Sequence, residues 1–464
     1  MDRSASCQAA EEGAYEAFQE TPYALLPKGR HEYWLIVPRF VPFRMGYLER
    51  QTASYNYFVI NKYVDWISPL PEKLRAEVGI SPRFSTATVH GGVLTVGDTE
   101  GDTAWRRYHH LLSRRLSPHS FEVGAGKEFE LIASIIDDGN LPFVPNPVAQ
   151  EDLRAPPLGI TLRPYQQAAW DRFVETGMVG VYWPPSAGKT YIALYAGERI
   201  NGRKLVVVPS VTLKEQWEQR IGELCRFPSE WSVHTYQYLT GKKGWIFGVG
   251  STALTIFDEV HHLPATTFSR LATIRTSYRM GLSASPYRED GRTEYIFALT
   301  GYPVGMQWNE LMEAGAVDEP DITVMLYEDQ NAKRQGLADI LATLSGRTIV
   351  FCDSLRKGEL LSRQLGIPFI HGDTSDRLNI LREHLVVIIS RVGDEGLSIP
   401  GLETVVEYDF FGGSRRQELQ RVGRVMHGKA SGRHLILMTD GEHAQYGRRL
   451  LSLQEQGLAI RYRR

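Results

Sequence analysis

Short apolar runs alternate with longer amphipathic stretches from Leu162 to the end of the chain. Apolar runs bounded by turn residues predict buried parallel strands, and the amphipathic stretches between them predict helices. The alternation restarts after Gly301, so we expect two α/β lobes, residues 159–318 and 319–464. The aromatic-rich region 1–145 predicts a separate α+β domain, and the Pro-rich stretch 146–158 predicts a linker.

Composition limits the class of protein. The chain has 464 residues, a formal net charge of -2 and three cysteines. Scattered cysteines exclude a disulfide framework or an internal four-cysteine metal site, and no apolar run is long enough to span a membrane. The N-terminal stretch does not resemble a secretory signal. We therefore expect a soluble cytoplasmic protein without a membrane partner, which would bind any nucleic acid through local basic surfaces.

The stretch VYWPPSAGKT, residues 181–190, has the layout of a phosphate-binding loop: a strand, a turn of small residues, Lys-Thr and a helix. Helix N-terminal amides favour phosphate, Lys189 can reach the β- and γ-phosphates, and the Thr190 hydroxyl can ligate Mg²⁺. Trp183 stands at the first glycine position of the usual pattern. An ordinary turn before a helix is the alternative. The loop candidates for ATP binding are Pro185, Ser186, Ala187, Gly188, Lys189 and Thr190.

A second candidate set follows an apolar strand that ends in Asp258-Glu259-Val260-His261. Ligands of open α/β sheets bind at the carboxyl ends of strands. We expect Asp258 to hold Mg²⁺ and Glu259 to orient the attacking water, because adjacent carboxylates are relieved by a cation. A helix-capping Asp-Glu is the alternative. Ser283 and Ser285 end a further strand, and Arg288, Glu289 and Asp290 follow.

Other polar residues could complete such a site. Gln166 opens a helix that starts near Pro164, and its amide could pair with adenine. Arg421 and Arg424 lie three apart on one predicted helix face and could reach a γ-phosphate held by the other lobe. Solvated surface positions are the alternative for all three residues.

The N-terminal region interleaves aromatic and basic residues, which can stack on bases and hold phosphates. The alternative is that the aromatics form a core and that the basic residues are solvated. The stretch from Trp105 to Arg115 could lie on one helix. Its basic residues are Arg106, Arg107, Arg114 and Arg115.

Taken in order, Gln166, Gly-Lys-Thr, Asp-Glu-Val-His, Ser-Ala-Ser and Gln-Arg-x-Gly-Arg resemble a superfamily 2 helicase motor. The stretches DEVHHLPATTF, GLSASPYRED, VGDEGLSIP and GGSRRQELQRVGRVM resemble the xeroderma pigmentosum group B (XPB) helicase family, especially its compact archaeal members. The resemblance runs from about Leu162 to the end of the chain. It implies two RecA-like lobes that hold ATP and Mg²⁺ in their cleft.

The resemblance also assigns roles. It implies that Arg163 and Gln166 bind ATP, that Ser283 and Ser285 couple hydrolysis to movement, and that Arg421 and Arg424 contact the γ-phosphate. Gly393 and Asp394 would lie at the lobe interface, and Arg288, Glu289 and Asp290 would act in strand separation. The domain in the place of residues 31–136 helps these helicases to recognise damaged DNA.

Three departures from the family pattern are visible. Ser186 replaces a glycine, His427 replaces the last arginine of Q-R-x-G-R-x-x-R, and the span 327–347 is too short for the helical thumb found in relatives. If the last arginine contributes a finger, its loss could slow turnover.

These patterns predict an ATP-dependent DNA helicase or translocase, acting in nucleotide excision repair on forked, bubble or damaged DNA. An RNA helicase or a restriction-type motor is an alternative of the same class, and a DNA-binding adaptor with a decayed ATP site is one of another class. The sequence contains no group of residues typical of a nuclease site. A separate nuclease is therefore a candidate partner protein.

Overall fold

The computed structural model describes residues 23–29, 32–41, 46–61, 64, 70–78, 87–138, 146–157, 160–185, 187–241, 250–263, 271, 273–284, 296, 299–305, 308–313, 315, 317–391, 399, 401–409, 415–426 and 432–464. Four sheets are present among these residues: two four-stranded antiparallel sheets and two larger parallel sheets.

The first N-terminal unit, residues 23–78, is a four-stranded antiparallel sheet with one helix. Strand order is β1-β2-β4-β3. Its interior includes Leu35, Val37, Leu48 and Phe58, which alternate along the strands as one buried face requires. Its elements are β1 Ala24–Gly29, β2 Glu32–Pro38, β3 Tyr47–Gln51, β4 Tyr55–Asn61 and helix α1 Glu72–Val78.

The second N-terminal unit, residues 87–138, has a second antiparallel sheet in the order β5-β6-β8-β7. Leu94, Phe121 and Leu131 pack in one cluster with Val207 and Phe257 of the first lobe. Its elements are β5 Thr88–His90, β6 Val93–Thr95, helix α2 Gly101–Tyr108, β7 Leu112–Ser117, β8 Ser120–Val123 and helix α3 Glu128–Asp137.

The basic cluster of this unit does not lie on one helix, and that expectation was wrong. Helix α2 ends at Tyr108, and Leu112–Ser117 is a strand because it pairs with β8. Three of the arginines face carboxylates: Arg107 contacts Asp138, Arg114 lies 3.4 Å from Glu122, and Arg115 lies 2.8 Å from Asp102. Neighbouring acidic groups therefore offset much of this positive charge.

Residues 146–157 run along the first lobe. The Val148 amide donates to the Val174 carbonyl at 2.8 Å, and the Tyr278 hydroxyl donates to the Asp152 carboxylate at 2.6 Å. Arg154 pairs with Glu230.

The first lobe is a six-stranded parallel sheet in the order β11-β10-β12-β13-β9-β14. The phosphate-loop strand β9 is buried along its whole length. The strands are β9 Met178–Tyr182, β10 Lys204–Val208, β11 Trp231–Thr235, β12 Thr252–Asp258, β13 Thr276–Ser283 and β14 Tyr302–Gly305. The helices are α4 Pro164–Thr176, α5 Lys189–Arg199, α6 Val211–Leu224, α7 Tyr236–Gly241 and α8 Trp308–Glu313.

The second lobe is a seven-stranded parallel sheet in the order β17-β18-β16-β19-β20-β15-β21. The strands are β15 Asp321–Tyr327, β16 Arg347–Cys352, β17 Phe369–Ile370, β18 Val386–Ile389, β19 Leu402–Asp409, β20 Arg433–Thr439 and β21 Ile460–Arg463. The helices are α9 Gln330–Thr343, α10 Leu355–Leu365, α11 Arg377–Glu383, α12 Arg415–Val422, α13 Asp440–Tyr446 and α14 Leu451–Glu455.

One hydrophobic cluster contains buried residues of both lobes, among them Val181 and Ile192 of the first and Leu419 and Val422 of the second. The two parallel sheets confirm the expected fold class. Among the described residues, no helix is long and apolar enough to cross a membrane.

Candidate active site

The turn after β9 is built around Gly188, which precedes helix α5. Gly188 has φ of 82°, in the left-handed region that favours glycine. A β-carbon there would lie 2.4 Å from Nε2 of Gln166. Gln166 is buried, and its amide oxygen accepts from the Arg163 backbone N–H at 2.9 Å. Gln166, the predicted adenine-reading residue, thus lies against the loop, and its Nε2 donates to the Gly188 carbonyl at 3.4 Å.

Trp183 belongs to the core. It is fully buried, and its ring meets that of Tyr165 edge-on with centroids 5.0 Å apart. The Tyr165 hydroxyl donates to the Ala187 carbonyl at 2.9 Å. This aromatic pair supports the loop from below, so Trp183 fills space where the usual pattern has glycine.

Lys189 lies at the first position of α5 with its ammonium turned into the loop. Nζ donates to the carbonyls of Trp183 at 2.9 Å and Pro184 at 3.1 Å. Burial lowers the pKa of Lys189, while the carboxylates of Glu259 and Asp258 oppose that shift. The lysine therefore lies in the electrostatic field of both acidic residues. Thr190 follows it in the first helical turn.

Asp258 ends β12 and is held by three contacts. Its carboxylate accepts from the Trp217 indole at 2.8 Å and from the Glu259 backbone N–H at 2.9 Å, and its carbonyl accepts from the Tyr236 hydroxyl at 3.1 Å. Burial raises the pKa of Asp258, and the Trp217 hydrogen bond and the charge of Lys189 counter that effect. A fixed carboxylate together with the Thr190 hydroxyl is the oxygen donor set that Mg²⁺ prefers, so these residues fit the metal.

Glu259 has a strained backbone, with φ of 48° and ψ of 51°. A left-handed conformation at a non-glycine residue costs about 1–3 kcal/mol and persists where the surroundings enforce it. Glu259 Oε2 lies 3.3 Å from Nδ1 of His261. The same imidazole nitrogen lies 3.0 Å from Oγ of Ser283, whose side chain is fully buried at the end of β13. His261 therefore links the predicted water-orienting carboxylate to the predicted coupling serine.

The second lobe touches the phosphate loop at Gly423. A β-carbon on Gly423 would lie 2.4 Å from Cγ of Pro185. Gly423 lies in the Gln-Arg-x-Gly-Arg segment, immediately after helix α12. The two predicted halves of the site are therefore in contact.

The two arginines of that segment have different surroundings. Arg421 is fully buried, and its guanidinium donates to Asp353 at 2.7 Å and to Glu407 at 2.8 Å. The guanidinium also lies over the ring of Phe351 at 4.3 Å. Arg424 is only partly buried and follows Gly423. The role expected for Arg421 at the γ-phosphate does not fit this arrangement, because withdrawing it would break two buried ion pairs, one with Asp353 and one with Glu407.

Several predicted residues lie outside the described part of the chain. They are Ser186, Ser285, Arg288, Glu289, Asp290, Gly393, Asp394 and His427. Their expected roles stay predictions.

Sequence analysis missed the residues that support the site. Tyr165 and Trp217 orient the loop and Asp258, and His261 joins two motifs. His261 is the last residue of the Asp-Glu-Val-His motif, and the sequence alone predicts no role for it. The polar atom of a buried Tyr or Trp side chain needs a hydrogen-bond partner. This requirement is the signal by which Tyr165 and Trp217 could be found from the sequence.

The sequence of the chain is similar to that of a known helicase family. Residues 334–454 match the ERCC3/RAD25/XPB C-terminal helicase family. The Rad25 protein of Halobacterium salinarum is 32% identical over 347 residues, which covers 64% of this chain and 58% of that protein. The chain is similar to the XPB and Rad25 helicases. The DNA 3'-5' helicase XPB of Mycobacterium tuberculosis is 28% identical over 361 residues, covering 65% of this chain and 66% of that protein. The chain thus spans somewhat more than half the length of the archaeal relative.

Solved structures support the two-lobed architecture of the chain. Yeast Dbp5 bound to RNA and ADP BeF3 superimposes with a TM-score of 0.52 at 16% identity, covering 64% of this chain and 89% of that one. Mss116p bound to ssRNA and AMP-PNP gives a TM-score of 0.50 at 12% identity, covering 65% of this chain and 74% of that one. Likenesses at this identity show the fold, which is a pair of RecA-like lobes.

Proposed function

We propose that the chain is an ATP-dependent DNA helicase or translocase whose ATP site is divided between its two lobes. The observation that carries the proposal is the contact of Gly423 with Pro185, because it brings the second-lobe arginine segment onto the phosphate loop. In support of it, Lys189 starts the helix that follows β9, and Asp258 and Glu259 lie at the carboxyl end of β12.

ATP binding would redirect Lys189. Its ammonium now bonds two loop carbonyls, and the β- and γ-phosphates are stronger acceptors because they are charged. When bound, Mg²⁺ would neutralise phosphate charge, with Thr190 and Asp258 as the residues that hold it. The carboxylate of Glu259 would orient the attacking water and accept its proton.

Hydrolysis would be coupled to movement by two connections. Arg424 would contact the γ-phosphate from the second lobe, so loss of that phosphate removes an attraction between the lobes. His261 would transmit the state of Glu259 to Ser283 at the end of the next strand. Cycles of closing and opening around ATP then drive the lobes along the DNA backbone. Because such contacts carry no base information, binding is expected to tolerate any sequence and to weaken with salt.

DNA is the proposed substrate because the Mycobacterium tuberculosis relative is named a DNA 3'-5' helicase, and relatives in zebrafish and yeast are named as DNA repair factor subunits. Forked, bubble or damaged duplexes in nucleotide excision repair fit that class. A separate nuclease partner and a cytoplasmic location remain part of the same proposal.

The test is the rate of ATP hydrolysis with forked, bubble and duplex DNA and with single-stranded RNA of matched length. We expect forked or bubble DNA to stimulate hydrolysis most strongly. Stimulation mainly by RNA would contradict the choice of DNA. Nucleotide binding without turnover on every nucleic acid would favour the adaptor alternative.

A further inference from the structure

The two N-terminal units are attached to different motor lobes. Leu451 of helix α14 in the second lobe packs inside the core of the first unit, beside residues such as Leu48 and Phe58. The second unit shares its core with the first lobe through Phe121 and Val207. Glu128 of helix α3 also lies in the field of Arg275 and Arg279. Any change in the angle between the lobes therefore moves the two units relative to each other.

A buried ion pair joins helix α12 to helix α14, the helix that packs into the first unit. Arg415 is the first residue of α12 and is 9% exposed, and Glu455 ends α14 and is 7% exposed. Their side chains are 2.6 Å apart. Two buried charges in contact are costly to separate, so this pair fixes the two helices to each other.

Strand β3 completes the joint from the side of the N-terminal unit. The Leu48 carbonyl accepts from Arg415, and the Leu48 backbone N–H donates to Glu455 Oε2 at 2.9 Å. The Arg415 guanidinium also lies over the Tyr47 ring at 4.0 Å. Both backbone polar groups of one β3 residue are therefore bonded to the ion pair. We define these contacts of Tyr47, Leu48, Arg415 and Glu455 as the β3–α12 clamp.

The clamp holds the start of the helix whose end leads to the ATP site. Helix α12 runs from Arg415 to Val422, and Gly423 and Arg424 follow directly. A rotation of α12 at Arg415 would displace Arg424, because a helix transmits motion along its length as a rigid element.

We propose that the first N-terminal unit controls ATP turnover through the β3–α12 clamp, with Arg415 and Glu455 as positioning residues for Arg424. This inference rests on the proposed function, in which Arg424 is the finger. In this proposal the first N-terminal unit moves together with the second lobe. A ligand that shifts β3 therefore changes the rate of ATP hydrolysis.

The experiment compares Arg415→Gln and Glu455→Gln in the full chain. Glu455→Gln keeps an amide oxygen for the Leu48 N–H, so it tests the charge with the smallest risk to folding. Glu442→Gln is the matched control, because Glu442 pairs with Lys333 of helix α9 at 2.6 Å in the same lobe. The readouts are kcat and KM for ATP with DNA, and amide hydrogen exchange of peptides covering 47–51 and 415–422.

We expect both clamp variants to raise exchange in both peptides and to lower kcat about fivefold, with KM changed less than about twofold, since a finger acts in the transition state. Glu442→Gln should change neither peptide. When combined with Arg424→Lys, Arg415→Gln should produce no further loss, because both act through one group.

If the clamp variants show raised hydrogen exchange but keep the kcat of the wild type, the proposal is overturned. The clamp would then have a structural role alone. Additive losses with Arg424→Lys would overturn it as well. Failure of the proposed function would look different, because the wild-type chain itself would then hydrolyse no ATP on any DNA. Unchanged hydrogen exchange of α12 in the two clamp variants would independently refute the clamp.

Discussion

Gly423 has no room for a side chain, because a β-carbon there would lie 2.4 Å from Cγ of Pro185 in the phosphate loop. This contact joins the two lobes at the place where ATP is expected to bind. Its closeness explains why a glycine is needed between the two arginines of the second-lobe segment.

Gly423→Ala should therefore hinder closure of the cleft. We expect kcat for DNA-stimulated ATP hydrolysis to fall about tenfold, because the added methyl group pushes Arg424 away from the phosphate. Steady-state kinetics measures the effect. Gly222→Ala in helix α6 is the control, since nothing lies within 4 Å of its β-carbon position. It should keep full activity and gain about 0.5–1 kcal/mol of stability. Equal activity of Gly423→Ala and wild type would contradict the contact.

Arg421 and Arg424 should separate stability from turnover. Arg421→Ala breaks two buried ion pairs, with Asp353 and with Glu407, which should lower the free energy of unfolding by about 3–5 kcal/mol. Arg424→Ala should unfold like wild type and lose about a thousandfold in kcat. Denaturant unfolding and ATPase assays on both variants check this. An Arg421→Ala protein with wild-type stability and no turnover would restore Arg421 as the finger.

The contrast between these arginines shows what sequence could and could not predict. Helix α10 is bounded by local signals that a sequence shows: the Ser354 side chain accepts from the Lys357 backbone N–H at its start, and Gly366 with φ of 65° ends it. The burial of Arg421 depends on Asp353, which follows β16, and on Glu407 of β19, so its partners come from other elements of the fold. No local pattern encodes such a pairing.

The same limit applies to the N-terminal region. Its aromatic and β-branched content predicted strands, but the attachment of its two sheets to different lobes arises from tertiary packing. The strand Leu112–Ser117 likewise forms because β8 lies beside it, and its sequence alone favoured continuation of a helix.

Restoring the usual loop pattern with Trp183→Gly should damage the protein. Trp183 is fully buried against Tyr165, so removing the indole should cost at least about 3–5 kcal/mol of stability. Tyr165→Phe removes only the hydrogen bond to Ala187 and should cost about 1 kcal/mol. Chemical denaturation of the two variants measures both values. A stable and more active Trp183→Gly protein would show that Trp183 is not a core residue.

His434 should make stability depend on pH. Burial alone would lower the pKa of His434, but hydrogen bonds with Glu407 at 3.0 Å and Glu418 at 3.2 Å outweigh it and hold the pKa above its ordinary 6.5. A raised folded-state pKa gives stabilisation that is complete below pH 6.5 and lost as pH rises through the folded value. The stability difference between wild type and His434→Gln should therefore shrink as pH rises above 6.5. Denaturant midpoints across that range test it, and a difference that grows with pH would refute it.

The central claim is that Glu259 orients the water that attacks ATP while Lys189 and the second lobe hold the phosphates. The most direct test is DNA-stimulated ATP hydrolysis by Glu259→Gln, with DNA binding measured on the same protein and Lys189→Ala as the companion variant. We expect both variants to lose hydrolysis and to retain their fold and most of their DNA affinity. Full ATPase activity in Glu259→Gln would contradict the account.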